Sequence, residues 1–306
     1  MNEPQSSASN TPPRLNIIGA GKLGRTLARL FSDAGLVKIG AIYNRKIESS
    51  QSAQTFIGAG RVISHIDELS QQPAELWMIA TPDDAIRRCA EQLATLKNMD
   101  WNGTTTFHSS GLKTALELAP LQNLGSSIAS AHPAHSFASP QRSLTNFAAT
   151  VCTLEGDDKA ITVLDGLFSG IGGQTTRLQP EAKALYHAAT VMASNYLVAL
   201  IGASETLLEK AGIEDALACA ILSPLMRQSL ENGLTEGAAK ALTGPIARGD
   251  IETLQAHLKA ITQTAPDLSS TYTIMGRQAL KLAQQNDNLN KEALASMQQL
   301  FLEESK

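Results

Sequence analysis

The sequence predicts an α/β domain built on a doubly wound, mostly parallel sheet, followed by a domain made only of helices. Between residues 14 and 178, short apolar runs alternate with helical patterns, as such a sheet requires. From Glu181 onward the chain is rich in Ala, Leu and Gln with helical spacing, and the strand patterns stop. We therefore predict a tail (1–13), a sheet domain (14–178) and an all-helical domain (179–306).

Eight short apolar runs are the predicted strands of the sheet domain. They cover residues 15–18, 38–43, 61–63, 76–80, 104–108, 127–131, 148–154 and 174–178. Helical patterns fit between several of them. In the second domain, glycine and proline residues divide the sequence into separate helices. These breaks are Gly212, Gly233, Gly244-Pro245 and Pro266.

Composition restricts the partners and the compartment. The net charge is −4 and the sequence pI about 5.9, so we expect neither nucleic acid nor an anionic membrane as a partner. Cys89, Cys152 and Cys219 lack C-x-x-C spacing, which favours reduced thiols and a cytoplasmic location. No cluster of Cys and His in the sequence has the spacing of metal ligands.

Two further segments bear on the location. Residues 1–13 are rich in Ser, Asn and Pro and lack an apolar core, so we predict a disordered tail and not a signal peptide. The longest apolar stretch, 188–203, is interrupted by Ser194 and Asn195. We expect it to be too short and too polar to span a bilayer.

A glycine-rich turn follows the first predicted strand and opens a helical pattern. Strand, glycine turn and helix together turn a weak G-x-G-x-x-G match into a strong indication of a dinucleotide site. In such a Rossmann-type turn, the helix N-terminus faces the pyrophosphate. An ordinary glycine-rich βα turn is the alternative. The expected cofactor contacts are Gly19, Ala20, Gly21, Lys22, Leu23 and Gly24.

The end of the second strand indicates which dinucleotide binds. An NAD site usually places an acid about 20 residues beyond the glycines, for the ribose 2′-hydroxyl. Here Asn44 occupies that position and Arg45 follows it. An arginine can hold a 2′-phosphate with two charge-assisted hydrogen bonds, so we predict NADP. The alternative is that Arg45 is a solvated surface residue.

The fourth strand leads into Ala80, Thr81 and Pro82, at the edge where open α/β sheets bind ligands. We predict that these three residues contact the cofactor. Thr81 also suits a helix N-cap and Pro82 the first helical position. Capping alone is therefore the alternative interpretation, and the two are compatible.

Two histidine loops follow the fifth and sixth strands. His108, Ser109 and Ser110 end the fifth strand, and His132 ends the sixth. A single loop histidine is usually a surface residue, but two in neighbouring strands would face the same crevice. We predict His108 at the cofactor and His132 as the acid–base group, because an unperturbed imidazole titrates near neutral pH. Ser109 and Ser110 would bond the substrate.

The first helix of the second domain carries a polar stripe. Lys183, His187, Thr190 and Ser194 lie within about 60° of one another at 100° per residue, with Asn195 to one side. We predict His187 as the second candidate for the acid–base group, and Lys183 and Asn195 as substrate ligands. A solvent-facing stripe is the alternative. The opposite face is predicted to be core, and it comprises Leu185, Ala189, Met192, Tyr196 and Ala199.

The segment 243–250 reads Thr-Gly-Pro-Ile-Ala-Arg-Gly-Asp and separates two helical patterns. Arg248 in a glycine-flanked loop suits bidentate binding of a carboxylate. We predict Thr243 and Arg248 as substrate ligands. Helix capping by Asp250 and helix termination by Gly244-Pro245 are the alternative roles.

Together these motifs resemble a family of NADP-dependent oxidoreductases that join a Rossmann-like domain to a helical domain of unknown function. The resemblance covers about residues 15–301. It rests on segments 19–24, 80–84, 108–111, 132–133, 186–189, 193–197 and 243–250. The wider group is that of pyrroline-5-carboxylate reductase, the β-hydroxyacid dehydrogenases and prephenate dehydrogenase.

The resemblance implies hydride transfer to or from a C=O or C=N bond of a small, carboxylate-bearing metabolite. His132-Pro133 is similar to the catalytic His-Pro loop of prephenate dehydrogenases. β-Hydroxyacid dehydrogenases place Asn four residues after a Lys, whereas here His187 follows Lys183. A non-enzymatic NADP-binding sensor is the alternative class, and a deazaflavin the alternative cofactor. Apolar residues on more than one face of 268–302 predict a homodimer through the helical half, as in related dehydrogenases.

Overall fold

The computed structural model describes residues 11–285 and 290–303. Residues 1–10 of the predicted tail therefore lie outside the described residues. The chain divides into two compact units, Met1–Met192 and Ala193–Lys306. The fold class is the one that the sequence predicts, an α/β sheet domain followed by a helical region.

Within the described residues, the first unit contains one eight-stranded sheet in the order β3-β2-β1-β4-β5-β6-β7-β8. All neighbouring strands are parallel except β6 and β7, which are antiparallel. The strands are β1 (Arg14–Ile18), β2 (Lys38–Tyr43), β3 (Arg61–Ile63), β4 (Leu76–Ile79), β5 (Thr105–His108), β6 (Ser127–Pro133), β7 (Val151–Gly156) and β8 (Gln174–Arg177).

Helices cover both faces of this sheet. One face packs against Leu27 and Phe31 with Phe168, and the other packs Trp77 against Ile86. Alternate residues of β1 and β4 enter the two cores, because successive side chains of a strand point to opposite faces. The helices are α1 (Lys22–Asp33), α2 (Ile47–Ile57), α3 (Asp83–Ala94), α4 (Ala119–Gln122), α5 (Pro140–Asn146), α6 (Asp158–Gly170) and α7 (Lys183–Val191).

The strand order reverses at β1 and β4, which lie side by side. In open α/β sheets, such a switch point opens a crevice beyond the carboxyl ends of the strands. The glycine turn after β1 and Thr81 after β4 both lie at this crevice. The sheet therefore brings together the two segments that the sequence predicts for the cofactor.

The predicted domain boundary at residue 178 marks the end of the strands, since β8 ends at Arg177. The first compact unit nevertheless continues to Met192 and includes α7. Lys183, at the start of this helix, is only 1% exposed. The helix thus belongs to the first unit, in which its Lys183 side chain is buried.

The face assignment predicted for α7 is wrong. Leu185 is 79% exposed, whereas Lys183 on the polar stripe is buried. Met192 and Tyr196, also predicted as core, are exposed as well. The residues Met192–Tyr196 form a π-helical turn, so the 100° spacing assumed for Ser194 and Asn195 does not hold there.

The second unit is helical throughout its described residues, with a small core that includes Leu254, Leu258, Met297 and Phe301. Gly276 lets two helices approach, because a Cβ there would lie 2.5 Å from the Phe301 ring. Its helices are α8 (Leu197–Lys210), α9 (Asp215–Glu236), α10 (Ala238–Ala241), α11 (Pro245–Arg248), α12 (Ile251–Thr264), α13 (Ser269–Ala283) and α14 (Lys291–Glu303).

One helical stretch of the described chain, Pro180–Lys210, has the length and apolar composition to cross a membrane, with a mean hydropathy of 1.4. This helical stretch of 31 residues includes residues 188–203, which the sequence analysis predicts to be too short and too polar to cross a membrane. Length and composition do not distinguish a membrane segment from an apolar helix that another protein surface covers.

Candidate functional site

The turn after β1 has the geometry that the glycine pattern predicts. Gly19 has φ +86°, and a Cβ there would lie 2.8 Å from the Ala80 carbonyl carbon. Its N–H donates to the Tyr43 carbonyl at 2.8 Å, which fixes the turn against β2. A Cβ on Gly24 would lie 3.0 Å from the Cβ of Ala80, so this glycine allows α1 to pack closely on the sheet. Ala20 is buried beneath the turn.

The same turn leaves room for an anion. A Cβ on Gly21 would meet nothing closer than the Gly19 carbonyl oxygen at 4.0 Å. Gly21 is the N-cap of α1 and no side chain caps this helix, so the first N–H groups of Lys22 and Leu23 have no intrahelical partner. These N–H groups and the helix dipole suit a phosphate.

The end of β2 carries Asn44 and Arg45 beside this turn. Asn44 donates from its backbone N–H and its side-chain amide to Ser50 Oγ, at 2.9 and 3.2 Å. Arg45 is exposed, and its guanidinium makes no hydrogen bond or ion pair with any other described residue. The guanidinium of Arg45 is therefore available to a ligand, and Asn44 is held in place by Ser50.

Thr81 does not cap the helix that follows it, which corrects the sequence interpretation. Helix α3 begins at Asp83, and Pro82 is its N-cap. Thr81 Oγ1 is buried without an oxygen or nitrogen partner among the described residues, although the thiol of Cys89 lies against it. The Thr81 hydroxyl therefore has the Cys89 thiol as its partner and lies at the crevice after β4.

His108 is fully satisfied inside the protein. Its Nδ1 accepts from the Ser110 N–H at 3.2 Å, so the ring proton is on Nε2, which donates to the Thr114 carbonyl at 2.9 Å. Burial lowers the pKa of His108 to about 4. The imidazole therefore organises the loop after β5, and its ring nitrogens have no capacity left for the predicted cofactor contact.

The two serines of this loop differ. Ser110 Oγ donates to Asp83 Oδ2 at 2.7 Å and accepts from the backbone N–H groups of Leu112 and Lys113. These bonds use its full capacity, so the hydroxyl cannot also bond a substrate as predicted. Ser109 Oγ, in contrast, is buried and has no partner among the described residues. Ser109 thus remains a candidate ligand.

Lys183 lies in a buried polar network and not at an open surface. Its Nζ donates to Ser130 Oγ at 2.8 Å and to the Ser110 carbonyl at 3.3 Å. Burial lowers the pKa of Lys183, while Glu155 and Asp83 oppose this effect. Glu155 pairs with Ser130 across β6 and β7, and burial raises its pKa. Two of the three N–H donors of Lys183 thus hold the loop after β5, and its contact with a substrate stays a prediction.

His132, Tyr186 and His187 form the cluster at the end of β6. His132 Nδ1 lies 2.9 Å from Tyr186 Oη, and its ring is edge-to-face with that of His187 at 5.8 Å between centroids. Burial, with His187 and Lys183 nearby, lowers the pKa of His132 to about 4. The titration near neutral pH that the sequence suggests is therefore wrong, because this imidazole is neutral at pH 7.

Gly111 lies against the rings of both His132 and His187. A Cβ on Gly111 would lie 2.5 Å from His187 Nδ1 and 3.0 Å from His132 Nε2. The two ring nitrogens thus converge on one glycine. His187 Nδ1 is buried without a partner among the described residues. The structure brings together both histidines that the sequence proposes as the acid–base group.

The remaining predicted substrate ligands belong to the second unit. Asn195 is exposed within the π-helical turn, Thr243 is exposed just before α11, and Arg248 is the exposed last residue of α11. Gly244 has φ +88°, and Gly249 ends α11 with φ +71°. Asp250 accepts from the Thr253 N–H, so the predicted capping role of this residue is confirmed. The Arg248 guanidinium makes no hydrogen bond or ion pair with the other described residues, and its charge helps to lower the pKa of Asp250 after the hydrogen bonds from Thr253.

Sequence reasoning missed four residues of the site. Tyr186 is three residues after Lys183 and so lies within about 60° of it on α7, a spacing that could have identified it. Ser130 and Glu155 are buried on strands and Asp83 is partly buried at the start of α3, and the pattern of each element alone does not reveal which of them meet. Ser130, Glu155 and Asp83 bond residues of the loop after β5 and do not line an open cleft.

The sheet order and the glycine turn are those of a Rossmann-type fold. Residues 1–133 match the Rossmann-like domain family, and residues 150–279 match the Domain of unknown function (DUF2520). The two matched segments follow one another along the chain, in the order of the sheet domain and the helical domain that the sequence predicts. Comparison with curated proteins found no match.

Solved structures share the fold over most of the chain. Protein TM1727 from Thermotoga maritima is 24% identical, with 89% of this chain and 98% of that chain covered at a TM-score of 0.66. A protein assigned as an NADP oxidoreductase, BF3122 from Bacteroides fragilis, is 18% identical, with 89% and 99% covered and a TM-score of 0.74. A reductive aminase from Aspergillus terreus is 14% identical, with 96% and 93% covered and a TM-score of 0.59.

Proposed function

We propose that this protein is an NADP-dependent oxidoreductase that transfers a hydride to or from a C=O or C=N bond of a small, carboxylate-bearing metabolite. The observation that carries the proposal is a neutral, half-buried His132 at the same sheet edge as an uncapped glycine turn. Such a turn suits a pyrophosphate, and a nearby imidazole suits the proton that accompanies hydride transfer.

The residues around the turn fit the dinucleotide. The free N–H groups of Lys22 and Leu23 would hold the pyrophosphate, and Arg45 the 2′-phosphate. The Ser109 hydroxyl is buried without a partner in the described chain, and the Thr81 hydroxyl contacts the Cys89 thiol. Both residues follow strands whose carboxyl ends border the expected path of the cofactor. The nicotinamide, when bound, supplies or accepts the hydride.

The chain's own groups would orient the substrate and handle one proton. His132 would bond the substrate oxygen or nitrogen, with His187 as the second candidate. Arg248 would hold the carboxylate, because its exposed guanidinium has no ion pair among the described residues. Thr243 and Asn195 remain proposed substrate ligands. Lys183 would bond the substrate with its remaining N–H donor, and Ser110 would keep the loop after β5 in position.

The solved structures support this class. BF3122 is assigned as an NADP oxidoreductase, and the Aspergillus terreus reductive aminase was crystallised with NADPH. The prephenate dehydrogenase from Aquifex aeolicus, 17% identical with a TM-score of 0.52, also shares the fold. These likenesses support a pyridine-nucleotide oxidoreductase, while the choice of NADP depends on Arg45.

Binding and turnover experiments test the proposal. Fluorescence titration should show tighter binding of NADPH than of NADH. NADPH oxidation should then be followed against a panel of keto acids and cyclic imines. With the active substrate, His132→Gln should lower kcat by roughly 10²- to 10⁴-fold while NADPH binding is nearly unchanged. Tight NADPH binding without turnover on the whole panel would favour the sensor instead, and no dinucleotide binding would refute both.

We also propose that the protein is a cytoplasmic homodimer. On α9, Leu217, Ile221 and Leu225 follow one another at four-residue spacing, and 53%, 39% and 61% of their surfaces are exposed. Isolated chains rarely expose such a continuous apolar stripe. Two-fold pairing of the second units would cover it, and two-fold dimers are the most frequent oligomers.

A further inference from the structure

The phenol of Tyr186 lies between two polar groups of β6 and β7. Its Oη is 2.9 Å from His132 Nδ1. It also forms a hydrogen bond with the Thr153 hydroxyl, which lowers the pKa of the phenol, although burial raises it overall. Thr153 and His132 are cross-strand partners in the antiparallel pair of β6 and β7. The three polar groups therefore form a short chain in the order Thr153, Tyr186, His132.

The proton order along this chain follows from donor strength. A neutral imidazole has one donor and one acceptor nitrogen. Tyrosine, with an ordinary pKa near 10, is a much stronger acid than a neutral imidazole N–H, and the imidazole nitrogen is a better base than a phenol oxygen. The bond therefore runs from Tyr186 Oη–H to His132 Nδ1.

The Thr153 hydroxyl has one proton and two acceptors within reach. Its hydrogen bond to the His132 carbonyl is 3.5 Å long, at the outer limit for such a bond. Its hydrogen bond with Tyr186 lowers the pKa of the phenol, as a bond donated to the phenol oxygen does. Thr153 would donate to Tyr186, and Tyr186 would donate onward to His132.

We propose that Tyr186 is a positioning residue that fixes His132 in the tautomer with its proton on Nε2, so that His132 acts as a hydrogen-bond donor toward the substrate and not as a base. Nε2 is the nitrogen that lies over Gly111 beside His187. This nitrogen is therefore the one that does not bond Tyr186, and it lies on the same side of the ring as His187.

The consequence for chemistry rests on the proposed function. A neutral Nε2–H at this position would polarise a substrate C=O or C=N bond and stabilise the negative charge that hydride addition places on its oxygen or nitrogen. His187, edge-to-face with His132, limits how that ring can turn. The tautomer itself is a property of the protein alone and can be measured without a substrate.

The test is nuclear magnetic resonance of the full-length protein labelled with ¹⁵N-histidine. Long-range ¹H–¹⁵N spectra distinguish protonated from bare ring nitrogens, and His132→Gln identifies the His132 signals. The wild-type protein should show a bare Nδ1 and a protonated Nε2 at His132. Tyr186→Phe should lower the ratio of this tautomer to the other by about 2- to 10-fold, the value of one ordinary hydrogen bond.

The chain offers matched controls. Tyr272 forms the same kind of pair with His257 in the second unit, at 2.8 Å. Tyr272→Phe should change the His257 signals and leave those of His132 unchanged. His108, whose tautomer is fixed by Ser110 and Thr114, is the internal reference for an intact fold. Thr153→Val is a second variant with the full phenol retained, and it should shift the His132 ratio in the same direction.

Two results would overturn the proposal. One is a wild-type His132 with its proton on Nδ1, since Tyr186 would then accept. The other is an unchanged His132 tautomer in both Tyr186→Phe and Thr153→Val, with His108 signals intact. Neither result depends on NADPH, so a failure of cofactor binding would refute the proposed function and leave this assignment in place.

Discussion

Lys183 donates a 2.8 Å hydrogen bond to Ser130 of β6, which is 53 residues earlier in the chain. Ser130 in turn donates to the Ser110 carbonyl at 3.1 Å, and Lys183 donates to the same carbonyl. One buried ammonium therefore ties the start of α7 to the ends of β5 and β6. It holds the loop that carries Ser109 and Gly111.

Removing this ammonium should destabilise the fold. Lys183→Met keeps most of the apolar stem but leaves Ser130, the Ser110 carbonyl and Glu155 without their buried cation. We expect the free energy of unfolding in urea to fall by about 1–3 kcal/mol. Lys159→Met, at an exposed position of α6, should change it by no more than about 0.5 kcal/mol. Equal effects of the two substitutions would show that the network contributes little.

Arg45 should determine the choice between NADPH and NADH. Arg45→Ala removes a charge-assisted contact to the 2′-phosphate, so NADPH affinity should fall by about 10- to 150-fold while NADH affinity stays nearly constant. Fluorescence titration measures both. Arg61→Ala is the matched control, because this exposed arginine begins β3 at the opposite end of the strands. The same loss in both variants would point to a general charge effect.

Gly111 should tolerate no side chain. A methyl group there would lie within 3.0 Å of both histidine rings, and the resulting overpacking should cost about 1–3 kcal/mol in Gly111→Ala. Gly166→Ala is the control, since nothing lies within 4 Å of its Cβ position in α6, and it should stabilise by about 0.5–1 kcal/mol. Thermal and urea unfolding compare the two. A stable Gly111→Ala with unshifted histidine signals would contradict the close approach.

Stability should fall as the pH drops from 6.5 toward 4. The pKa of His108 is about 4 in the folded protein and 6.5 when unperturbed, so between these values the unfolded chain binds more protons. Each such histidine contributes a slope of up to about 1.4 kcal/mol per pH unit, and His132 acts in the same window. His108→Gln should reduce the slope of the urea-unfolding free energy against pH, whatever its effect at pH 7. An unchanged slope would exclude a buried neutral His108.

The dimer should depend on the apolar stripe of α9. Leu225→Glu places a charge among exposed leucines, so light scattering at micromolar concentration should give close to one chain mass, 32.5 kDa, instead of two. Leu116→Glu is the control, because Leu116 is 64% exposed on the first unit. A wild-type protein that scatters as a monomer would refute the assembly directly.

The sheet was predictable because its strands carry a strong local pattern. Residues 38–43 and 61–63 are strands with the predicted bounds, since short apolar runs between turns are typical of parallel strands. The glycine turn was predictable as well, because the positive φ of Gly19 and the close approach of Gly24 to Ala80 require glycine. Both kinds of signal are local in the sequence.

The site was less predictable because its contacts join distant segments. The amphipathic pattern of α7 shows two faces but not which of them meets the sheet, and the buried face proved to be the one with Lys183. Burial also reversed the expected titration of His132, because desolvation depends on neighbours that sequence does not specify. The sequence also predicts that the Ser110 hydroxyl bonds the substrate, but its hydrogen bonds with Asp83, Leu112 and Lys113 use its full capacity.

The position of Lys183 also sets where the protein can be divided. A nucleotide-binding fragment that stops with the last strand, at Arg177, would lack the cation beneath its own loops and would keep Glu155 buried without it. A fragment that continues to Met192 retains both. The separable module is therefore longer than its sheet, and any exchange of the helical region between relatives has to occur inside a continuous helix.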